Sequence, residues 1–199
     1  MKTRILCFAF ATGLIAALAP AMQAGDKKDK KDNPFAGLPG PGPEHKILAK
    51  CEGTWNAQVK AWFGSKEPTE SKGVMKRKMI MDGRYLRESF TGSFADKKFE
   101  GLGVIGYDVD KKKYVMSWVD NFSTGVVINE GTYDPSKKTL TFVGEENTPK
   151  GKLRTKDVLT FVSETEQQFN MFRSPAPGKE FKVMEITYKR VKTEEKKEK

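Results

Sequence analysis

From Gly53 onward the chain changes from helical to β-type patterning. Short runs rich in β-branched and aromatic residues are broken by turn signals roughly every 8–12 residues, the spacing of sandwiches and barrels. The pattern predicts ten strands, at Thr54–Phe63, Glu70–Met81, Arg84–Thr91, Phe99–Asp108, Lys113–Asn121, Val126–Thr132, Thr139–Glu145, Leu153–Val162, Gln168–Ser174 and Glu180–Val191. Before them, Pro43 suits a first helical turn, and Ile47, Leu48 and Cys51 recur at helical spacing until Gly53. That predicts a short N-terminal helix.

The turns have their own chemistry. Asp82-Gly83 predicts a two-residue hairpin, because a type I′ turn needs positive φ. Tyr107-Asp108-Val109-Asp110-Lys111-Lys112 recurs as Tyr133-Asp134-Pro135-Ser136-Lys137-Lys138. Here an Asp can accept backbone N–H bonds within the turn. Hairpin-linked strands suggest an antiparallel meander, and closure into a barrel would remove its two exposed edges. A sandwich is the alternative on pattern alone.

The two ends read differently. Lys2 and Arg4 precede an apolar run, Ile5–Leu18, followed by small residues, as in a secretory signal. Cleavage is expected after Ala21 or Ala24. The run is shorter than the ~20 apolar residues of a membrane span, and no later segment approaches one. The expected product is exported, periplasmic or secreted. Residues 25–42 combine a Lys/Asp stretch with Pro and Gly, a flexible linker. Residues 43–191 form the folded domain, and residues 192–199 form a charged tail.

Net charge is +10, with 29 Lys and 7 Arg. The Lys are spread among acids rather than clustered with Arg and aromatics, which argues against a nucleic-acid groove. Cys7 falls in the apolar run, so Cys51 is the domain's lone cysteine, and no intramolecular disulfide can form. It reads either as a reactive thiol or as a small buried apolar residue.

Chemical motifs are sparse. Gly-x-Ser-x-Gly, His-Glu-x-x-His, Cys-x-x-Cys and the phosphate loop are all missing. His45 is the lone histidine and lies in the helix, so no predicted strand offers a histidine to a haem. Asp108-x-Asp110 is no calcium loop, because Lys113 and Val119 stand where Gly and Glu are needed. No cofactor and no metal are expected.

Several segments taken together resemble the bacterial domain-of-unknown-function family 1579. They are Gly42-Pro43-Glu44-His45-Lys46, Gly53-Thr54-Trp55, Gly101-Leu102-Gly103, Gly106-Tyr107-Asp108, Lys112-Lys113-Tyr114, Trp118-Val119-Asp120, Gly131-Thr132-Tyr133-Asp134, Lys138-Thr139-Leu140-Thr141 and Met184-Glu185-Ile186-Thr187-Tyr188. The resemblance implies an all-β, antiparallel, up-and-down, calycin-like barrel, with no established activity. Gly53-x-Trp55 after a short helix also resembles the lipocalin opening. That resemblance implies Trp55 plugging the closed end, with Arg190 of the last strand packed over it.

A charge on an otherwise apolar strand face is costly unless paired. Alternation puts Glu88 with Leu86 and Phe90, Asp120 with Met116 and Trp118, and Glu130 with Val126 and Ile128. It likewise puts Asp157 with Leu153 and Leu159, and Arg173 with Phe169 and Met171. Glu88, Met116, Trp118, Asp120, Glu130, Asp157, Phe169, Met171 and Arg173 are therefore the candidate lining of an internal cavity. The competing reading places these polar groups at wet strand ends or in structural ion pairs. The functional expectation is a barrel holding a small hydrophobic or amphipathic ligand. The alternatives are an envelope-interaction module without such a ligand and an enzyme built on carboxylates such as Glu88 and Asp157. Oligomeric state is left open.

Overall fold

A computed structural model describes residues 40–62, 64–94, 96–148, 151–175 and 179–192. The expected signal segment, nearly all of the expected linker and all of the expected tail but residue 192 lie outside the described residues. A helix α1 (Pro43–Ala49) precedes ten strands. They are β1 (Gly53–Ala61), β2 (Thr69–Ile80), β3 (Tyr85–Phe94), β4 (Lys97–Asp108), β5 (Lys113–Asp120), β6 (Val127–Asp134), β7 (Thr139–Thr148), β8 (Gly151–Phe161), β9 (Glu166–Ser174) and β10 (Phe181–Arg190). Each strand pairs antiparallel with its chain neighbours, and β10 returns to pair with β1. The sheet is a closed barrel with no free edge, so every strand's ladder is shared with two others.

The recurrent turns use one device twice. Asp108 Oδ1 accepts the N–H of Asp110 and of Lys111, both at 3.0 Å. Asp134 Oδ1 accepts those of Ser136 at 2.9 Å and Lys137 at 3.2 Å. Each turn leaves through a left-handed lysine, Lys112 or Lys138, both at φ 53°. The Asp82-Gly83 turn differs from the expected two-residue hairpin. Ile80 pairs with Tyr85, so residues 81–84 form a four-residue loop. Met81, Asp82 and Gly83 all take positive φ there, and the Arg84 N–H bonds back to the carbonyls of Ile80 and Met81.

α1 closes the lower end. His45 Nδ1 accepts the Gly42 N–H at 2.9 Å, a cap that uses the lone histidine, while Leu48 faces the interior. Beneath it Trp55 is fully buried and donates Nε1–H to the Cys51 carbonyl at 2.9 Å. The Arg190 guanidinium carbon sits 4.0 Å from the Trp55 ring centre. Its N–H groups donate to the carbonyls of Glu52, Lys50 and Glu164. One side chain thus ties the helix end, β1 and the β8–β9 turn together. Gly53 is required beside it, because its φ is +117° and a Cβ there would lie 2.5 Å from Arg190 Nη1. Cys51 is buried under the helix, and burial pushes its thiol up to about 12.

Candidate functional site in the barrel interior

Alternation along each strand sends every second side chain inward. The lower interior is apolar: Leu86, Ile105, Tyr114, Leu140, Phe142 and Leu159 pack against Leu48 and Cys51. A second apolar group, Trp55, Ala57, Val59, Met75, Phe90, Ile186 and Tyr188, lines the β1–β2–β10 side. Two polar networks stand among these groups.

In the first, Arg77 of β2 points inward between Met75 and Met79. Its direct cross-strand partner is Glu88 of β3. Arg77 Nε donates to Glu88 Oε1 at 2.6 Å, and Nη1 donates to Gln167 Oε1 of β9 at 3.0 Å. The guanidinium carbon lies 4.6 Å from the centre of the Tyr188 ring. Burial opposes the Arg77 charge most, but Glu88, Tyr188 and Cys51 together outweigh it, and the pKa is raised. Tyr188 is pushed up to about 12 by burial, against the pull of Arg77. This is a neutralised ion pair in a dry setting, held by an amide and an aromatic face.

The second network spans β6 to β9. Asp157 Oδ1 accepts from Arg173 Nη1 and Oδ2 from Asn129 Nδ2, each at 3.1 Å. The Thr155 hydroxyl donates to Asn129 Oδ1 at 3.3 Å, and Arg173 Nε reaches Glu146 Oε2 at 3.1 Å. Burial raises the Asp157 pKa, and Arg173 and Asn129 offset only part of that. Arg173 is 13% exposed and Glu146 is 47% exposed, so this network runs from the interior toward the upper mouth.

The upper wall is aromatic and thioether-rich. Phe90 and Phe99 meet edge-on at 5.7 Å, and Phe99 meets Phe122 of the β5–β6 loop at 5.2 Å. The Trp118 indole lies against Gly101, where a Cβ would collide with the ring. Trp118 Nε1 donates to Asp120 Oδ2 at 3.1 Å, while Asp120 Oδ1 caps the Phe122 and Ser123 N–H groups at 2.9 Å. Phe99, Trp118, Phe169, Met171 and Met184 face inward and are part-buried, as are Met79, Tyr107, Tyr133 and Phe161 at the lower rim. At the upper end no described helix covers them, so their residual exposure borders space that solvent reaches from above.

The candidate lining divides accordingly. Glu88, Met116 and Asp157 are buried inside, and Trp118, Asp120, Phe169, Met171 and Arg173 are inward and part-buried. Asp157 and Arg173 are bonded partners, whereas Glu88 pairs with Arg77 instead. Glu88 and Asp157 thus belong to different networks, each held by its own arginine. Glu130 is corrected: it lies on the outer wall, where it pairs with Lys111 at 2.8 Å. Val126 and Ile128 suggested an inward face, but both are exposed, and Asn129 and Gly131 are the buried members of that strand. Arg77, Asn129, Thr155 and Gln167 escaped the sequence reading. Arg77 carried a signal, being flanked at two-residue spacing by Met75 and Met79. Gln167 fell before the expected start of its strand.

Among the described residues, no three His, Cys, Asp or Glu side chains gather as metal ligands. No described helix is long and apolar enough to cross a membrane. The two best-formed surface recesses lie elsewhere. One, about 650 Å³, is bordered by Lys60, Trp62, Phe181 and Glu185. The other, about 200 Å³, lies on the outer wall between Arg87, Leu102, Val104 and Val119.

A family model described as protein of unknown function, DUF1579, matches residues 40–190. The chain belongs to this family. No match was found among curated proteins. The DUF1579 barrel is similar in fold to the S-type phycobiliprotein lyase CPES from Guillardia theta, at TM-score 0.56 and 11% identity, covering 76% of this chain and 94% of that one. It is also similar to Rv2717c from M. tuberculosis, at TM-score 0.55 and 12% identity, covering 77% and 100%. At such identities the likeness concerns the fold alone. The DUF1579 interior described above is this chain's own.

Proposed function

We propose that this DUF1579 barrel is an exported binding protein that takes the apolar part of a small amphipathic molecule into its upper interior. One contrast carries the reading. At the lower end α1 packs over the inward residues, whereas at the upper end no described helix covers Phe99, Trp118, Phe169, Met171 and Met184, which keep part of their surface open. An apolar wall with a few convergent polar groups is the usual makeup of a small-molecule site. Asp157–Arg173 and Asp120 stand beside that wall and would meet the polar end of a guest. Their charges are already partnered, which favours a guest with hydrogen-bonding groups over one with a single strong charge. Export rests on Lys2, Arg4 and the Ile5–Leu18 run.

Calorimetric titration with alkyl carboxylates, alkylamines and alkyl glycosides tests the interior. One-to-one binding is expected, and it should be lost in Met171→Glu, which places a charge on the apolar wall. Absence of heat with every class would end the proposal. N-terminal sequencing of protein recovered from its native cell tests export, with a start after Ala21 or Ala24 expected.

A further inference from the structure

The outer wall is not uniform. Many of its cations are matched: Lys98 pairs with Glu100, Lys111 with Glu130, Lys152 with Glu145 and Lys156 with Glu180. Single exposed cations such as Arg154 of β8 and Lys189 of β10 lack an ion pair among the described residues, but β2 and β3 together gather four. Lys72, Lys76 and Lys78 point outward from β2 and Arg87 from β3, all exposed, and none forms an ion pair among the described residues. Lys78 and Arg87 are moreover direct cross-strand partners. Like charges directly opposite each other destabilise a sheet.

The same register row continues into apolar residues. Lys78 pairs with Arg87, Arg87 with Val104, Val104 with Ser117 and Ser117 with Ile128. The next row reads Lys76, Ser89, Leu102, Val119. Leu102 is 55% exposed and Ile128 is 62% exposed, and Val104 and Val119 beside Leu102 are exposed as well. The shallow recess of about 200 Å³ lies where the basic and apolar halves meet, between Arg87, Leu102, Val104 and Val119.

We propose that this β2–β6 outer wall docks the barrel on an anionic phospholipid bilayer. Lys76, Lys78 and Arg87 would take lipid phosphates, while Leu102, Val104 and Val119 would enter the headgroup–acyl boundary. Charge complementarity selects this partner over a second copy. The chain carries +10, and among the described residues the wall's carboxylates Glu70, Glu100 and Glu130 are each already paired with a lysine, leaving none for the unpaired cations of another barrel. An anionic surface supplies the missing counter-charge, and a bilayer accepts the adjoining apolar side chains as well. The inference does not depend on the interior site.

Co-flotation of the purified protein with vesicles is the test. Binding is expected to vesicles of phosphatidylglycerol in phosphatidylcholine, to weaken with salt, and to be absent on phosphatidylcholine alone. Lys78→Gln with Arg87→Gln should lower affinity about tenfold or more. Leu102→Asp should lower it without changing the fold seen by circular dichroism. Lys152→Gln with Lys156→Gln, on the opposite wall, should stay within about twofold, those cations being already neutralised by acids. Equal binding to both vesicle types, or equal loss from the β8 pair, overturns the assignment. A dimer dissolved by Leu102→Asp, with no vesicle binding, assigns the wall to a second copy instead.

Discussion

Arg77 and Glu88 face each other across β2 and β3 inside the barrel, with Nε 2.6 Å from Oε1. Removing one member strands a buried charge, which costs about 3–5 kcal/mol. Glu88→Gln and Arg77→Met should therefore each lower unfolding free energy by about that much in urea titrations. The double variant Arg77→Met, Glu88→Met should cost far less than the sum, because it removes both charges together. A purely additive double variant would show that the pair is not coupled.

Asp157 should behave differently. Arg173 keeps Glu146 as a second partner, and burial raises the Asp157 pKa above its ordinary 3.8. A raised native pKa contributes stability that is full below the unfolded value and lost as pH rises through the native one. Wild type should lose stability relative to Asp157→Asn as pH climbs from about 4 toward neutral. At pH 7 Asp157→Asn should cost clearly less than Glu88→Gln. Denaturant midpoints across that pH range would check both statements.

Arg190→Ala removes the stack on Trp55 and leaves three carbonyls without their donor. A loss of at least about 2 kcal/mol is expected. Arg190→Lys should recover only a minor part, since an ammonium neither stacks as a plane nor spans those carbonyls. Thermal unfolding of the two variants provides the comparison.

How much of this was legible beforehand follows from which forces were local. All ten strands fell within three residues of their places, because Asp, Gly and Pro turn chemistry is written in a few adjacent positions. Gly53, Trp55 and Arg190 were likewise readable, as a resemblance whose contacts lie between the two ends of the domain. Phase was harder. On β6 the apolar residues Val126 and Ile128 point outward, so alternation alone turned the strand around and hid Asn129. Arg77 reads as another surface cation among Lys76 and Lys78 until its partner on β3 is known. Met75 and Met79 at two-residue spacing hint at the inward phase, but the register that sets Arg77 opposite Glu88 is a property of the closed barrel.

Alkaline stability offers a further check on the closed lower end. Burial raises Cys51 from 9.0 to about 12 and Tyr188 from 10.0 to about 12. Both contributions are full below their unfolded values and fade as pH rises toward 12. Stability should therefore fall between pH 9 and 12, and Cys51→Ala should flatten the first part of that fall. Native Cys51 should resist thiol reagents until denaturant is added. Rapid labelling of folded protein would show the α1 end to be open.

The interior itself is tested most directly by native mass spectrometry of the folded protein after incubation with a total lipid extract. One small adduct per barrel is expected, and it should disappear in Met171→Glu and in Gly101→Ala, whose added methyl displaces the Trp118 ring. An unchanged mass, or an adduct equally abundant in both variants, would contradict an upper interior that receives a guest.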